Sequence, residues 1–323
     1  MSATLERTDG RTQEPAPSRG SGALRRSADW ARRAPLLPAL IFTIIVTQLP
    51  FVATLVISFM NWNAYYPDEI GFAGFDNYVA VLTDENIRHS IIVTIELTVV
   101  VVLVSLLLGM GIALLLDRKF RGRGIVRTMM ITPFLIVPVA AALVWKHALY
   151  NPEYGLFNGA LTWLWGLFGS DNPPQPDWIT QAPLVSIEVA LIWQWTPFMM
   201  LILLAGLQSR PLDVIEAAGI DGANQWEIFR YMTLPHLRQY LELGVLLGAV
   251  YIVQVFDHIF AITQGGPGSA TTNLPYEIYL TTFRKYEYGE AAAAGVVVVI
   301  GTIIIATFSL RLISSLFEEE VGR

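Results

Sequence analysis

The sequence predicts an all-α integral membrane protein with six transmembrane helices, and three observations carry that prediction. First, the 323 residues are 54% hydrophobic and only 15% charged, with a mean hydropathy of +0.50, which is too apolar for a soluble globule of this size. Second, six apolar runs, at about 35–60, 90–116, 128–149, 184–207, 239–263 and 289–316, come close to or exceed the ~20 residues a bilayer requires. Third, the cations between those runs are sorted. Of the 21 lysines and arginines, 17 fall in the N-terminal tail, in 117–127, in 208–238 and at the C-terminal end. The positive-inside rule places those segments and both termini in the cytoplasm, and an even number of spans agrees with it. The formal net charge of −6 says little once charge is sorted by side. The chain has no cysteine, so disulfides, thiolate metal sites and a cysteine nucleophile are excluded.

Taken in order, residues 1–34 have the composition of a disordered cytoplasmic tail, with Arg7, Arg11, Arg19, Arg25, Arg26, Arg32 and Arg33 and no apolar run. Glu6, Asp9, Glu14 and Asp29 dilute that charge and no aromatics interleave it, which argues against nucleic-acid binding. The first apolar run is uncharged and too long for a signal-peptide core, so it reads as a span. The outer segments differ from one another. Residues 61–89 hold GFAGFDNY, with aromatics of the kind found at membrane interfaces. Residues 150–183 predict an interfacial helix and then a loop stiffened by prolines. Residues 264–288 begin QGGPGSATT and continue with Tyr276, Tyr279, Phe283 and Tyr286, which reads as an outer gate or docking surface.

Polar residues inside apolar runs are costly and each is a functional hypothesis. Glu188 and Glu242 lie within a turn or two of span ends and could reach water. Glu96 is deeper and could meet either a partner subunit or the substrate. Tyr251, Gln254 and Asp257 recur every three residues, which predicts a polar helix face toward a cavity. Trp193, Gln194 and Trp195 precede Pro197, whose missing N–H loosens a helix. Flat aromatic rings stack on the C–H face of a sugar while Gln and Asp bond its hydroxyls, so Trp193, Gln194, Tyr251, Gln254, Phe256 and Asp257 are the candidate substrate contacts. Ala291 and Gly295 have small-xxx-small spacing and predict a packing seam facing a second subunit.

The most informative stretch is Gln208–Arg238, a polar interruption between two apolar runs. Pro211 suits a helix start, Asp213 and Glu216 put negative charge near that start, and Gly222 offers a stop. A second amphipathic piece, Trp226–Met232, is expected to end before Pro235, because the residue preceding a proline is driven from the helical region. Glu216-Ala217-Ala218, then Asp221-Gly222-Ala223, Phe229 and Leu234-Pro235 resemble the EAA loop of permease subunits in binding-protein-dependent ABC importers. Met232 stands where isoleucine is usual and no proline follows shortly after Leu237; neither alters the loop's physical character.

Over residues 35–317 the chain resembles a carbohydrate permease of the maltose-transporter type, and VFDHIFAITQGGPGSATTNLPYEIY looks most like permeases for sugars or polyols such as sorbitol and mannitol. The resemblance implies a type I ABC importer permease domain, with 318–323 as a cytoplasmic end, in the inner or plasma membrane of a prokaryote. It also implies a second homologous permease, two ATPase subunits that bind ATP and magnesium, and an extracytoplasmic substrate-binding protein. Glu216, Ala217, Ala218, Asp221, Gly222, Ala223, Leu234 and Pro235 would then form the coupling helix. Lys119, Lys146 and Lys285 are the chain's lysines and none sits in a G-x-x-x-x-G-K-[ST] loop, so the ATPase would be another polypeptide. His89, His147, His236 and His258 lack metal-ligand spacing, and no acid–base cluster marks a membrane enzyme. The alternative is an ion-coupled secondary transporter using Glu96 or Asp257, which has no need of such a loop.

Overall fold

The computed structural model describes residues 34–169 and 172–321; the arginine-rich tail, Ser170, Asp171, Gly322 and Arg323 lie outside the described residues. In order, the helices are α1 (Leu37–Ile57), α2 (Asp76–Thr83), α3 (Glu85–Asp117), α4 (Arg123–Leu135), α5 (Pro138–Val144), α6 (Leu156–Leu167), α7 (Trp178–Gln181), α8 (Pro183–Gln208), α9 (Leu212–Ile220), α10 (Gln225–Ile228), α11 (Leu234–Ile252), α12 (Leu274–Leu280) and α13 (Tyr288–Val321). Two short strands, β1 (Met60–Asn61) and β2 (Gly71–Phe72), pair antiparallel between α1 and α2.

Among the described residues four helices are long and apolar enough to cross a bilayer: α1, α3, α8 and the Tyr288–Phe308 part of α13. A fifth crossing is added if α4 and the α5 segment, which meet at a bend of 98°, count as one broken span. The bend follows from Pro133 and Pro138, which remove N–H donors on either side of it. The run at 239–263, expected as one helix, is two pieces. Its helical part, α11, stops at Ile252 and carries Arg238 and Glu242.

The inward face of α3 mixes small and polar residues with large apolar ones. The buried positions Ser90, Thr94, Thr98, Ser105, Gly109 and Ala113 recur at helical spacing, while Ile92, Leu103 and Leu107 are exposed. Thr94 and Thr98 return their hydroxyls to the preceding turn, at Ser90 O and Thr94 O, 2.6 and 2.7 Å away, whereas the Ser90 and Ser105 hydroxyls are buried without a partner. At Gly109 a β-carbon would stand 2.8 Å from Met200 N, so only glycine permits this approach of α3 to α8. The contact continues through Val93, Leu97, Val101 and Val102 against Ile187, Leu191 and Met199, with Val245 and Ile252 of α11 completing the cluster. A second cluster, Ala113, Leu116, Met200, Leu203, Leu207 and Leu237, joins the opposite ends of the same three helices.

The small-residue stretch of α13 is used within this chain. Ala293 and Ala294 are buried with Val81, Ile87 and Leu274, and Ala291 is 5% exposed, so this part of the expected seam is occupied within the chain by α2, α3 and α12, whereas Gly295 is half-buried. The GFAGFDNY stretch also holds its own surroundings together. Asn77 donates to Ser58 O and Met60 O, both at 2.9 Å, and Tyr78 OH lies 2.6 Å from Ser58 Oγ.

Candidate functional site

Two places draw the functional candidates together, the polar loop between α8 and α11 and a cavity beside the break after α11. In the loop, α9 ends in a complete C-cap. Gly222 adopts φ +95°, Gly222 N–H donates to Gly219 O at 3.3 Å, and Ala223 N–H donates to Ala218 O at 3.0 Å. The next helix opens on a capping box, with Asn224 Oδ1 accepting from Trp226 and Glu227 N–H at 3.0 Å and Glu227 Oε2 accepting from Asn224 N–H at 2.8 Å.

Contrary to the sequence expectation, the second piece does not stop before Pro235. Phe229–Thr233 form a π-helical turn in which Leu234 N–H reaches back to Phe229 O, and α11 follows directly. Pro235 falls in the first turn of α11, where a missing N–H costs little, and Leu234 stays helical at φ −64° and ψ −45°. Glu216, Ala217, Asp221, Gly222 and Pro235 are exposed or partly so, and Ala218, Ala223 and Leu234 are half-buried. Exposed with them are large apolar groups: Leu212 at 64%, Ile220 at 87% and Trp226 at 65%.

The root of the loop is held by Arg210. Its Nη2 donates to Asp117 Oδ2 at 2.5 Å, its Nη1 to Thr233 Oγ1 at 2.8 Å and its Nε to Leu207 O at 2.9 Å. Ser209 beside it bonds His236 at 3.0 Å and Tyr240 OH at 2.9 Å.

The cavity encloses about 280 Å³ and is lined by Phe134, Gln194, Trp195, Tyr251, Gln254, Phe256, Asp257 and His258, among others. Thus Gln194, Tyr251, Gln254, Phe256 and Asp257 are brought together as expected on one space, but not by one helical face. Gln254 and Phe256 stand on the non-helical link beyond Ile252, and Asp257 begins the short turn leading to the π-helical Ile259–Thr263. Irregular backbone at this depth is tolerated where it is buried in protein or lines a cavity. Here Asn273 Nδ2 takes the freed Val255 O at 2.5 Å, and the Phe256 ring lies 5.3 Å from those of Phe260 and Tyr279.

Trp193 does not line this space. It turns to Trp145, ring centroids 5.7 Å apart, and borders a separate apolar cavity of about 520 Å³. The reason is helical phase, since two residues turn a helix by about 200°. Trp195 takes the cavity wall instead, with its ring 5.4 Å from Tyr251 and 5.6 Å from Phe134. The spacing Leu191, Gln194, Trp195 and Phe198 carried that signal. Gln194 is also partly committed, because its Nε2 donates at 2.9 Å to Ile136 O, a carbonyl freed by the bend between α4 and α5. The helix α8 itself runs unbroken through Pro197.

Of the other intramembrane acids, Glu96 is exposed and Glu242 pairs with Arg238 at 2.8 Å. Glu188, expected to reach water, does not, because it falls on the buried stripe of α8 at 8% exposure. Residues 264–288 fold on themselves, with Thr271 N–H donating to Gly265 O at 3.0 Å. The Tyr279 ring stacks on Tyr276 and lies tilted against Phe283, while Tyr286 turns away to Tyr65.

Residues 105–319 match the family described as binding-protein-dependent transport system inner membrane component. The chain belongs to this family. As an inner membrane component it is 35% identical over 272 residues to a probable ABC transporter permease protein, y4oQ, of Sinorhizobium fredii, covering 84% of this chain and 85% of the relative. It is 33% identical over 277 residues to the trehalose/maltose transport system permease protein MalF of Thermococcus litoralis, covering 85% and 90%. Its fold is similar, at a TM-score of 0.73 and 23% identity, to a chain in the structure of a bacterial alginate ABC transporter in complex with its alginate-bound periplasmic protein, covering 90% and 96% of the two chains.

Proposed function

We propose that this chain is the permease subunit of an ATP-driven importer for sugars or sugar alcohols, supplying half of the translocation path and one coupling helix. The observation that carries this reading is the loop. Leu212, Ile220 and Trp226 expose large apolar side chains on the cation-rich side of the chain, on helices whose ends are capped from within. Such a surface is made to be covered by a protein partner. A separate ATPase is that partner here, and its closure on ATP would displace α9.

The chain would cross the membrane six times with both termini in the cytoplasm, the fifth crossing being α11 together with Ile259–Thr263. A second permease completes the path, two ATPase subunits bind ATP and magnesium, and an extracytoplasmic binding protein delivers the solute. The cavity supports a small polyhydroxylated ligand. Its volume is at the lower edge of the ~300–1,000 Å³ typical of ligand pockets, and it joins Trp195, Tyr251 and Phe256 rings to Gln254 and Asp257. The trehalose/maltose relative favours the same class.

The test is uptake by proteoliposomes holding the complex purified through a tag on this chain, with ATP inside and the binding protein outside. Accumulation of a sugar or polyol that needs both supports the proposal. Uptake driven by a proton or sodium gradient alone refutes it.

A further inference from the structure

We infer that Arg210 is a positioning residue of the transport cycle, the rigid root through which displacement of α9 is delivered to α3, α8 and α11 together. This deepens the proposed function and rests on it. The guanidinium stands two residues before α9 and spends three differently directed N–H groups on three elements: Asp117 at the last position of α3, the Leu207 carbonyl in the last turn of α8, and Thr233 at the end of the turn that feeds α11. Its side chain is 14% exposed and Thr233 is 2% exposed, so the bond between them competes little with water, while Asp117 is 27% exposed and its ion pair is partly solvated.

Asp117 makes the arrangement pointed. A carboxylate at the C-terminus of a helix faces the negative end of the helix dipole, so Asp117 does nothing for α3 by itself. Its charge is matched by Arg210, from the far end of a different helix. Arginine is the one side chain that can hold three acceptors in a fixed plane; lysine would offer a single point charge. Beyond the root, α11 extends 19 residues, about 28 Å at ~1.5 Å per residue, to the broken segment carrying Gln254 and Asp257 on the cavity. A push on α9 therefore reaches the cavity wall through one fork and one helix.

The test uses the complex purified through a tag on this chain, native or carrying Arg210→Ala, Arg210→Lys, Asp117→Asn or Asp117→Asn with Arg210→Ala. Arg121→Ala, an exposed cation nearby, controls for charge. The ATPase should co-purify with the Arg210 and Asp117 variants as with native chain, because the caps of α9 and α10 are untouched. Solute transported per ATP hydrolysed should fall about tenfold, within the ~5–150-fold span of coupling effects. The apparent KM for solute should stay unchanged, and the double variant should be no worse than Arg210→Ala. Amide exchange at 212–220 and 228–236 should accelerate in each variant. Should Arg210→Ala fail to assemble, Arg210→Lys decides. Native transport per ATP in the Arg210 variants, multiplicative loss in the double variant, or unchanged exchange in the loop would each overturn the inference. A native chain that purifies without an ATPase would overturn the proposed function instead, while the exchange measurement still decides the role of Arg210.

Discussion

At Gly222 the backbone stands at φ +95°, and the cap of α9 depends on it. A β-branched residue there meets the left-handed penalty of about 1–2 kcal/mol, so Gly222→Val should loosen the turn between α9 and α10 and abolish coupled transport while the remaining helices keep their thermal midpoint. The check is transport per ATP beside differential scanning fluorimetry. In the cavity, Trp195→Ala and Asp257→Asn should each raise the apparent KM for solute about tenfold, the equivalent of ~1.4 kcal/mol, whereas Trp193→Phe should change it by less than about twofold. Equal effects of the Trp193 and Trp195 variants would remove the cavity assignment. These two tryptophans also mark how far the sequence can be read. Composition announced an aromatic, polar-dotted centre, but whether Trp193 or Trp195 faced it depended on helical phase against Leu191 and Gln194. Arg210 was legible only as one more cytoplasmic cation, because its partners Asp117, Leu207 and Thr233 come from three separate parts of the chain.

Among elements, the close contact of α3 with α8 rests on small residues, and it gives a paired prediction. Gly109→Val drives a side chain into Met199 and Met200, at an overpacking cost of about 1–3 kcal/mol, while Gly111→Val meets nothing within 4 Å. The first variant should lower the yield and thermal midpoint of detergent-purified protein and the second should leave both as they are. In the outer segment, Lys285 donates to Glu277 at 3.1 Å. Burial works against its charge, but the hydrogen bond to Glu277 and the negative charges of Glu277, Glu290 and Asp84 together outweigh that and leave its pKa raised. A raised folded-state value stabilises fully below the ordinary lysine range and is lost only as pH rises through it. Lys285→Met should therefore lower the thermal midpoint of detergent-purified protein at neutral pH, where the amine is charged; an unchanged midpoint would contradict the assignment. The bounds of α9 follow from Pro211 and Gly222, whereas the Asn224–Glu227 capping box that opens α10 is seen only in the structure. The continuation through Pro235 was not legible either, because a π-helical turn has no local sequence signature and is decided by where the following helix must go. The break after Ile252 was hidden for the same reason: the Val255 carbonyl it frees is satisfied by Asn273, a side chain from the next outer segment.

For the whole molecule, membrane class and the resemblance to importer permeases were legible because lipid imposes long apolar runs and the positive-inside rule sorts charge. The number of crossings was less so, since a bend of 98° and an unwound segment interrupt runs that look continuous in composition. The central claim is that the exposed face of Leu212–Trp226 is covered by an ATPase whose work moves the chain. The measurement that tests it most directly is co-purification from cells of origin through a tag on this chain, native against Glu216→Lys, with ATP hydrolysis assayed in the eluate. The account predicts an ATPase in stoichiometric amount with the native chain, reduced or unresponsive to solute-loaded binding protein in the variant. A native chain that elutes alone and carries solute without ATP would contradict it.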